Sequence, residues 1–414
     1  MTLKTRILFA WEMGANLGHL TRDLPLARAC RDAGYEVFMA VNNLSTATSL
    51  LSHEGFTLLQ VPVLRPVPGL PPPINFASML LQQGYQDMQA LSGALQGWLS
   101  LLKLIQPQVV VYNHAPTALL AARLVGVPVL LTGTGFEIPP QGTPLPSFQP
   151  WKAIPLATHI GVERQLLALL NPILSQHHKS PLSNLSELFL SHPPLLTTFS
   201  GLDPFGPRHN AHYIGPLYAL PEVPELQWQQ PNRPHILTYL RPGILGVEAL
   251  LEALQNTDAE IICAVPGLPR EWPRRFPSLR FYPHAVNLPQ LLPAAQLMIC
   301  YGAGTIGTSL LAGVPVLLIP QMTEQYLTGL ALERLGAGLM LHQDRSVAHC
   351  KSILHQLLSQ PSFRAAAHDF AQAHIRFSVT SAVEKLWQAL QVYLNRSPAS
   401  LYGDTALTLT NVQA

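Results

Sequence analysis

A run of small residues in the C-terminal half has the composition of an anion-binding loop. The apolar stretch QLMIC leads into YGAGT, and a helical pattern follows. Unpaired backbone N–H groups at a helix start bind phosphate, helped by the helix dipole. The loop has no GxxxxGK[ST] pattern, and the chain has no D-x-D pair to hold a metal against a diphosphate. We therefore expect main-chain amides to bind phosphate without a metal, at Gly302, Ala303, Gly304 and Thr305.

A histidine has a comparable position near the other end of the chain. His19 follows the loop GANLG and opens a helical pattern. The positive end of a helix lowers the pKa of an imidazole and favours its neutral, proton-accepting form. His19 is a candidate general base, although a capping or surface histidine could occupy the same position. The loop is not GxGxxG, and Asn42-Asn43 rather than an acid ends the next strand, which argues against a nicotinamide cofactor.

Two more loops of the N-terminal half place polar or small residues after an apolar run. Asn113 and His114 follow VVVY, and Gly133, Gly135 and Glu137 lie in TGTGFE. Ligands of open α/β sheets bind at the carboxyl ends of the strands, where we expect these residues. Helix capping and a tight turn are the alternative roles.

The elements that must position these residues form two β-α series. RILFAWE, HLTRDLPLARACRDAG and YEVFMAVNN alternate as strand, helix and strand, and PQVVVYN, APTALLAARLVG and VPVLLTGTG repeat that order. A second series starts at HILTYLR and continues through QLMIC and VPVLLIP. Such units imply parallel sheets. We predict an α/β fold of two Rossmann-like, doubly wound domains facing a cleft.

A composition break sets the expected domain limits. The segment YALPEVPELQWQQPNRP is rich in Pro and Gln and has no periodicity, as in a linker. We place the first domain at 1–217, the linker at 218–233, the second domain at 234–396 and a flexible tail at 397–414, with a last helix able to pack back on the first domain.

Length and charge exclude several classes of protein. A chain of 414 residues is too long for one ordinary core. A net charge of +2 argues against a nucleic-acid surface. The 4 cysteines form no CxxC pair, as expected in a reducing compartment without a zinc site. No signal peptide or transmembrane run is evident, so we expect a cytoplasmic protein, with mean hydropathy that leaves room for peripheral membrane contact.

Three segments resemble a known family. GHLTRDLPLARACRDAGYEV is similar to the N-terminal motif of two-domain (GT-B) nucleotide-sugar glycosyltransferases, which include UDP-glucuronosyltransferases and antibiotic glycosyltransferases. FYPHAVNLPQLLPAAQLMICYGAGTIGTSLLAGVPVLLIPQMTEQ is similar to their donor-binding motif, and YIGPL also matches. The resemblance spans nearly the whole chain. It implies metal-independent, inverting transfer of a sugar from a UDP- or dTDP-sugar co-substrate to an acceptor hydroxyl, with no other cofactor.

The resemblance also implies a role for each matching residue. His19 falls on the catalytic base and Asn113 on the residue that orients it. On the donor side, Phe281 falls on the ring that stacks on the nucleobase, and the backbone from His284 to Val286 on the contact with the base edge. Gly302 to Thr305 fall on the phosphate loop. Glu324 and Gln325 fall on the pair that binds the sugar hydroxyls. The acceptor side includes Gly18, His114, Gly133, Gly135 and Glu137. Apolar loops at 62–82 and 136–151 favour a hydrophobic or amphipathic, even lipid-like, acceptor.

Three departures from the family pattern leave alternatives open. Cys300 stands where the family has a phosphate-binding histidine, Thr308 where plant members have a ribose-binding glutamate, and Asn113 where many members have an acid. A charge-assisted hydrogen bond worth about 1.5–3 kcal/mol would be missing at Cys300. A degenerate nucleotide-sugar-binding protein without transferase activity is one alternative. An NDP-sugar epimerase on the same fold is the other, although the acidic and histidine groups that it needs are sparse.

Overall fold

Two compact units make up the computed structural model, which describes residues 4–14, 18–190, 193–218 and 225–395. The first unit contains the described residues up to Gly133, the segment Glu137–Leu195 and the chain from Val383 onward. The second unit contains Thr134–Phe136 and Leu196–Ala382.

Alternating strands and helices build the first unit. Its strands are β1 (Arg6–Trp11), β2 (Glu36–Val41), β3 (Thr57–Gln60), β4 (Val109–Asn113) and β5 (Val129–Gly133). Its helices before the second unit are α1 (Gly18–Asp32), α2 (Leu44–Leu51), α3 (Phe76–Leu80), α4 (Met88–Ile105), α5 (Pro116–Val125) and α6 (Leu156–Gln176).

The strands of this unit lie in the order β3-β2-β1-β4-β5 within their sheet, and their pairings are parallel. The chain winds outward from β1 to β3 and then crosses to β4, so the strand order reverses between β1 and β4. Trp11 at the end of β1 is opposite Asn113 at the end of β4. Such a reversal separates the two following loops and opens a crevice at the carboxyl edge, where ligands bind.

The second unit repeats this plan. Between the two series the chain forms the short strands β6 (Leu195–Leu196) and β7 (His212–Tyr213). The strands of the second sheet are β8 (His235–Tyr239), β9 (Glu260–Ala264), β10 (Arg280–Tyr282), β11 (Leu297–Cys300), β12 (Val316–Leu318) and β13 (Gly338–Met340). Its helices are α7 (Val247–Gln255), α8 (Trp272–Arg275), α9 (Leu288–Leu291), α10 (Ala303–Leu311), α11 (Thr323–Arg334), α12 (Val347–Ser359) and α13 (Pro361–Ala373). The last helix, α14 (Val379–Leu394), begins in this unit, and its residues from Val383 onward belong to the first unit.

The second sheet has the order β10-β9-β8-β11-β12-β13, also with parallel pairings. Its strand order reverses between β8 and β11, where Tyr239 is opposite Cys300. Apolar side chains cover both faces: Ile299 lies in the core cluster on one face and Cys300 in the cluster on the other. Burial on both faces explains why the strands of this sheet are continuous apolar runs.

The prediction of two Rossmann-like, doubly wound units is confirmed. The chain between α3 and α4 is interrupted at Gly84, whose φ is 105°. The 21-residue helix α6 was not foreseen. Part of the predicted linker and the whole predicted tail lie outside the described residues, and the domain limits stay a prediction.

The last helix makes aromatic contact within the first unit. The ring of Trp387 in α14 lies 5.8 Å from the ring of Tyr35, centroid to centroid. None of the helices in the described part of the chain is both long and apolar enough to cross a membrane.

Candidate active site

His19 lies at the carboxyl edge of the first sheet, in the first turn of α1. Its half-buried ring lies between the rings of Trp11 and His114, at centroid distances of 5.5 and 6.1 Å. The backbone N–H of Met13 donates to the carbonyl oxygen of His114 at 3.0 Å. The loops after β1 and β4 thus meet where the strand order reverses, as predicted for His19, Asn113 and His114 from their places at strand ends.

The side chain of Asn113 fixes the tautomer of His19. Its Nδ2 donates to the carbonyl oxygen of His19 at 2.9 Å and to Asp23 Oδ2 at 2.6 Å. Its Oδ1 must therefore be the acceptor, and it lies 2.8 Å from His19 Nδ1. Nδ1 then carries the proton, and Nε2 has the lone pair that a general base needs. Among the described residues, no hydrogen bond to Nε2 is formed.

Arg22, in α1, completes this network and is itself paired with Glu137. Arg22 Nη1 pairs with Glu137 Oε1 at 2.6 Å, with side chains only 7% and 2% exposed. Arg22 Nη2 donates to Asn113 Oδ1 and lies 3.4 Å from His19 Nδ1. Both donors and the acceptor oxygen of Asn113 are thus engaged. An amide, not a carboxylate, is the group that fits between Arg22 and Asp23.

Burial and charge shift the pKa values of this cluster. Burial, together with the Arg22 guanidinium, lowers the pKa of His19 to about 4. Burial lowers the pKa of His114 to about 3, so both rings are neutral near pH 7. Burial raises the pKa of Asp23 to about 7 although Arg22 and Asn113 favour its charged form. Burial opposes ionisation of Glu137, but Arg22 outweighs it and holds the Glu137 pKa well below its usual range.

Glu12 anchors the loop that carries Asn113. Its carboxylate accepts the backbone N–H of Thr117 at 2.9 Å and the Thr117 hydroxyl, at the start of α5. Burial raises the pKa of Glu12 to about 7, and the bonds from Thr117 act in the opposite direction. The positive end of α5 favours the carboxylate in the same way. Glu12 therefore holds the turn between β4 and α5 in place.

The predicted phosphate loop lies at the carboxyl edge of the second sheet. Gly302 is the N-cap of α10 and provides no side-chain hydrogen bond, so the first amides of α10 lack a side-chain cap from it. Ala303 and Gly304 line a depression in the second unit. The buried hydroxyl of Thr197 also lines it and has no hydrogen-bond partner among the described residues. The first amides of α10 and the Thr197 hydroxyl could therefore form hydrogen bonds to a polar ligand.

The side chain of Cys300 lies in the core beneath this loop. Its side chain is fully buried in the core cluster that also contains Ile306, with Sγ 3.8 Å from the carbonyl oxygen of Gly302. Burial raises the pKa of the Cys300 thiol to about 12, so it stays uncharged. The first side chain beyond the strand is that of Tyr301, which is half-buried.

The two residues predicted to bind sugar hydroxyls have different surroundings. Gln325 is 2% exposed, and its Oε1 accepts the backbone N–H groups of Gln321 at 2.7 Å and Met322 at 3.3 Å. It caps α11. Glu324 is half-buried, and its Oε1 accepts the hydroxyl of Thr134 at 3.2 Å. Of the two side chains, that of Glu324 is therefore the more accessible.

The remaining donor-side residues follow β10. Phe281 is half-buried in β10, and its ring lies 6.3 Å from that of Trp272. His284 is exposed, whereas Val286 is buried in the core. The structure therefore presents Phe281 and His284 at this end of the sheet, and only the backbone at Val286.

Charged side chains surround the TGTG loop, residues 132–135. Gly133 ends β5 beside Glu137. Arg208 Nη2 donates to the carbonyl oxygen of Gly135 at 2.7 Å, and Arg208 Nε pairs with Asp203 Oδ2 at 2.8 Å. In the described part of the chain, no group of three or more His, Cys, Asp or Glu side chains is placed to hold a metal ion.

A solved structure has a similar fold. The calicheamicin glycosyltransferase CalG4 superposes with a TM-score of 0.71 at 17% identity, over 95% of this chain and 99% of that chain. The chain thus has the two-domain GT-B fold.

The sequence comparisons give further similarities. Residues 248–385 match the erythromycin biosynthesis protein CIII-like C-terminal domain. A PGL/p-HBAD biosynthesis glycosyltransferase of Mycobacterium tuberculosis is 28% identical over 401 residues, 89% of either chain. The TDP-daunosamine transferase DnrS of Streptomyces peucetius is 28% identical over 218 residues, half of either chain. The chain is thus similar in sequence to glycosyltransferases, and to the mycobacterial enzyme over 89% of its length.

Sequence reasoning missed the residues that hold His19. Arg22 and Asp23 are three and four positions after His19, a spacing that places side chains of one helix side by side. An adjacent pair of opposite charges one helical turn after a candidate base was the signal that could have identified them.

Proposed function

We propose that this protein transfers a sugar from a UDP- or dTDP-sugar to a hydroxyl group of a hydrophobic or amphipathic acceptor, with inversion and without a divalent metal. The proposal depends on the hydrogen bond between His19 Nδ1 and Asn113 Oδ1. This bond holds the imidazole ring and leaves the lone pair of Nε2 on the opposite side of the ring. A fixed, neutral imidazole can remove the acceptor proton as the oxygen attacks the anomeric carbon.

The low pKa of His19 determines when it can act. Near pH 7 the ring is neutral and ready to accept a proton. The same low pKa makes it a weak base, so departure of the nucleoside diphosphate has to supply much of the driving force. The uncapped amides at the start of α10 and its dipole can stabilise that leaving group.

Sequence similarity and loop composition support the nature of the two substrates. The similarity to a TDP-daunosamine transferase favours dTDP among the two nucleotides. The apolar loops at 62–82 and 136–151 support a hydrophobic or lipid-like acceptor that could be met at a membrane surface. A reducing, cytoplasmic setting suits the four free, buried cysteines.

Release of nucleoside diphosphate from a panel of UDP- and dTDP-sugars, with amphipathic alcohols as acceptors, tests the proposal. We expect His19→Gln to lower turnover by about 10²- to 10⁴-fold. Exposed His53→Gln is the matched control and should leave turnover unchanged. EDTA should have no effect. Equal turnover by wild type and His19→Gln would contradict the role of His19, and rescue of an EDTA-treated enzyme by Mg²⁺ would contradict metal independence.

The pH profile gives an independent check. His19 can accept a proton only above its pKa, so kcat/KM should stay level from pH 7 downward and fall as the pH passes through about 4. An acid limb near pH 6.5, the value of an unperturbed imidazole, would show that the base is not His19 in this environment.

A further inference from the structure

The carboxyl edge of the second sheet contains a cation that no motif identified. The strand order reverses between β8 and β11, so the loops after these two strands border the crevice. The loop after β11 begins with Tyr301 and continues into α10. The loop after β8 contains Arg241, two residues beyond Tyr239.

An aromatic ring positions the side chain of Arg241. Its Cζ lies 5.2 Å from the ring centroid of Tyr301, within the range of a cation–π contact. The ring of Tyr239 lies 6.2 Å from that of Tyr301, with an angle of 9° between the planes. The half-buried guanidinium is therefore held beside the residue that precedes the start of α10.

Among the described residues Arg241 has no acidic partner, in contrast to Arg208 and Arg280 of the same unit. Arg208 pairs with Asp203, and Arg280 pairs with Glu260. Among the residues that the structure describes, no carboxylate oxygen lies within 4.0 Å of the Arg241 guanidinium. Its positive charge at this edge is uncompensated.

The loop that carries Arg241 is fixed by its neighbours. The backbone N–H of Leu245 donates to Gln321 Oε1 at 3.1 Å. Arg345 donates to the carbonyl oxygen of Leu245 and, at 2.9 Å, to that of Pro320. The loops after β8 and β12 are thus tied together, so little ordering would be needed when a ligand binds.

We propose that Arg241 binds the diphosphate of the sugar nucleotide, together with the first backbone amides of α10; this inference rests on the proposed function. A helix end provides roughly half a positive charge, which leaves most of a diphosphate's charge uncompensated. Because Cys300 is buried, its side chain cannot supply the rest. A guanidinium donates two parallel hydrogen bonds to a phosphate and keeps its charge at every working pH.

Calorimetric titration with dTDP, UDP, thymidine and uridine tests this inference. Arg241→Gln should weaken binding of the diphosphates by about 10- to 100-fold, the range of a lost charge-assisted hydrogen bond. It should leave nucleoside binding unchanged, and Arg241→Lys should recover part of the loss. Exposed Arg334→Gln in α11 is the matched control for the change in charge.

The outcomes separate the two proposals. If wild type binds dTDP or UDP and Arg241→Gln binds it equally well, the inference on Arg241 is wrong and the proposed function stands. If Arg241→Gln loses affinity for nucleosides and diphosphates alike, the residue does not act on the phosphates. If folded wild type binds no nucleoside diphosphate, the proposed function is wrong and this inference with it.

Discussion

The carboxyl edges of the two sheets have the same topology but opposite chemistry. At the first edge, the side chains of His19, Asn113 and Arg22 form a dense, mostly buried network of hydrogen bonds and charges. At the second edge, α10 begins at Gly302 without a side-chain cap, and Arg241 lies against the ring of Tyr301.

The difference matches the roles that we propose for the two edges. Proton transfer depends on one atom, Nε2 of His19, in one tautomer and one orientation, and only packed side chains can fix these. Binding of a diphosphate requires several donors around a diffuse charge, which main-chain amides supply without side-chain ordering. The first edge should therefore be sensitive to small substitutions, and the second should tolerate them.

The largest expected effect is on the stability of the first edge. Arg22→Met leaves the Glu137 carboxylate buried without its cation, which should lower the free energy of unfolding by about 3–5 kcal/mol. Arg275→Met removes an exposed partner of Glu248, whose side chain is 50% exposed, and should cost about 0–1 kcal/mol. Urea denaturation measures both. Similar losses in the two variants would mean that the Arg22 pair is not buried as described.

Two glycine substitutions compare the edges directly. Gly14 has a φ of 91°, and a Cβ there would lie 2.5 Å from His19 Nε2. Gly14→Ala should displace the imidazole and lower turnover by roughly 10²-fold, because misplacement by about 1 Å can cost that much.

At the second edge, a Cβ on Gly302 would meet nothing within 4 Å. Gly302→Ala should leave the fold intact and raise the KM for the donor only a few-fold. Turnover and donor KM of both variants test the comparison. A Gly302→Ala variant that fails to fold, or a fully active Gly14→Ala variant, would contradict it.

A smaller effect should follow from replacing the amide of Asn113. The family pattern favours an acid at this position, but Asn113→Asp would face the carboxylate of Asp23, since 2.6 Å now separates Nδ2 from Oδ2. A mispaired buried group costs about 1–3 kcal/mol, so turnover should fall about tenfold or more.

The double variant Asn113→Asp/Asp23→Asn exchanges the two groups and should restore part of the turnover. The carbonyl oxygen of His19 would still face a carboxylate, so recovery should be incomplete. Single-turnover rates measure this. If Asn113→Asp alone were faster than wild type, the position would lack only a charge, as the resemblance by itself implies.

Much of the fold was predictable because each strand is a short apolar run. β4, predicted from PQVVVYN, is buried along its whole length, and α5 begins and ends where APTALLAARLVG places it. The helix α6 was missed since it is partly exposed and has a proline, Pro172, inside it. Leu166, Leu170 and Ile173 do follow a helical spacing, but the polar residues His159 and Glu163 occupy the buried positions before them, so the apolar stripe is short.

The sequence by itself determined the two Rossmann-like units and which loops bear polar residues at strand ends, because local periodicity and parallel topology dictate both. Only the tertiary structure decided the roles of the side chains. Cys300 alternates into the core while Tyr301 follows at the edge, a consequence of the two-residue period of a strand. Asn113 donates a hydrogen bond to Asp23. Arg241 contacts Tyr301 because the chain crosses from β10 to place β11 beside β8. These contacts join residues far apart in the chain, so no local pattern encodes them.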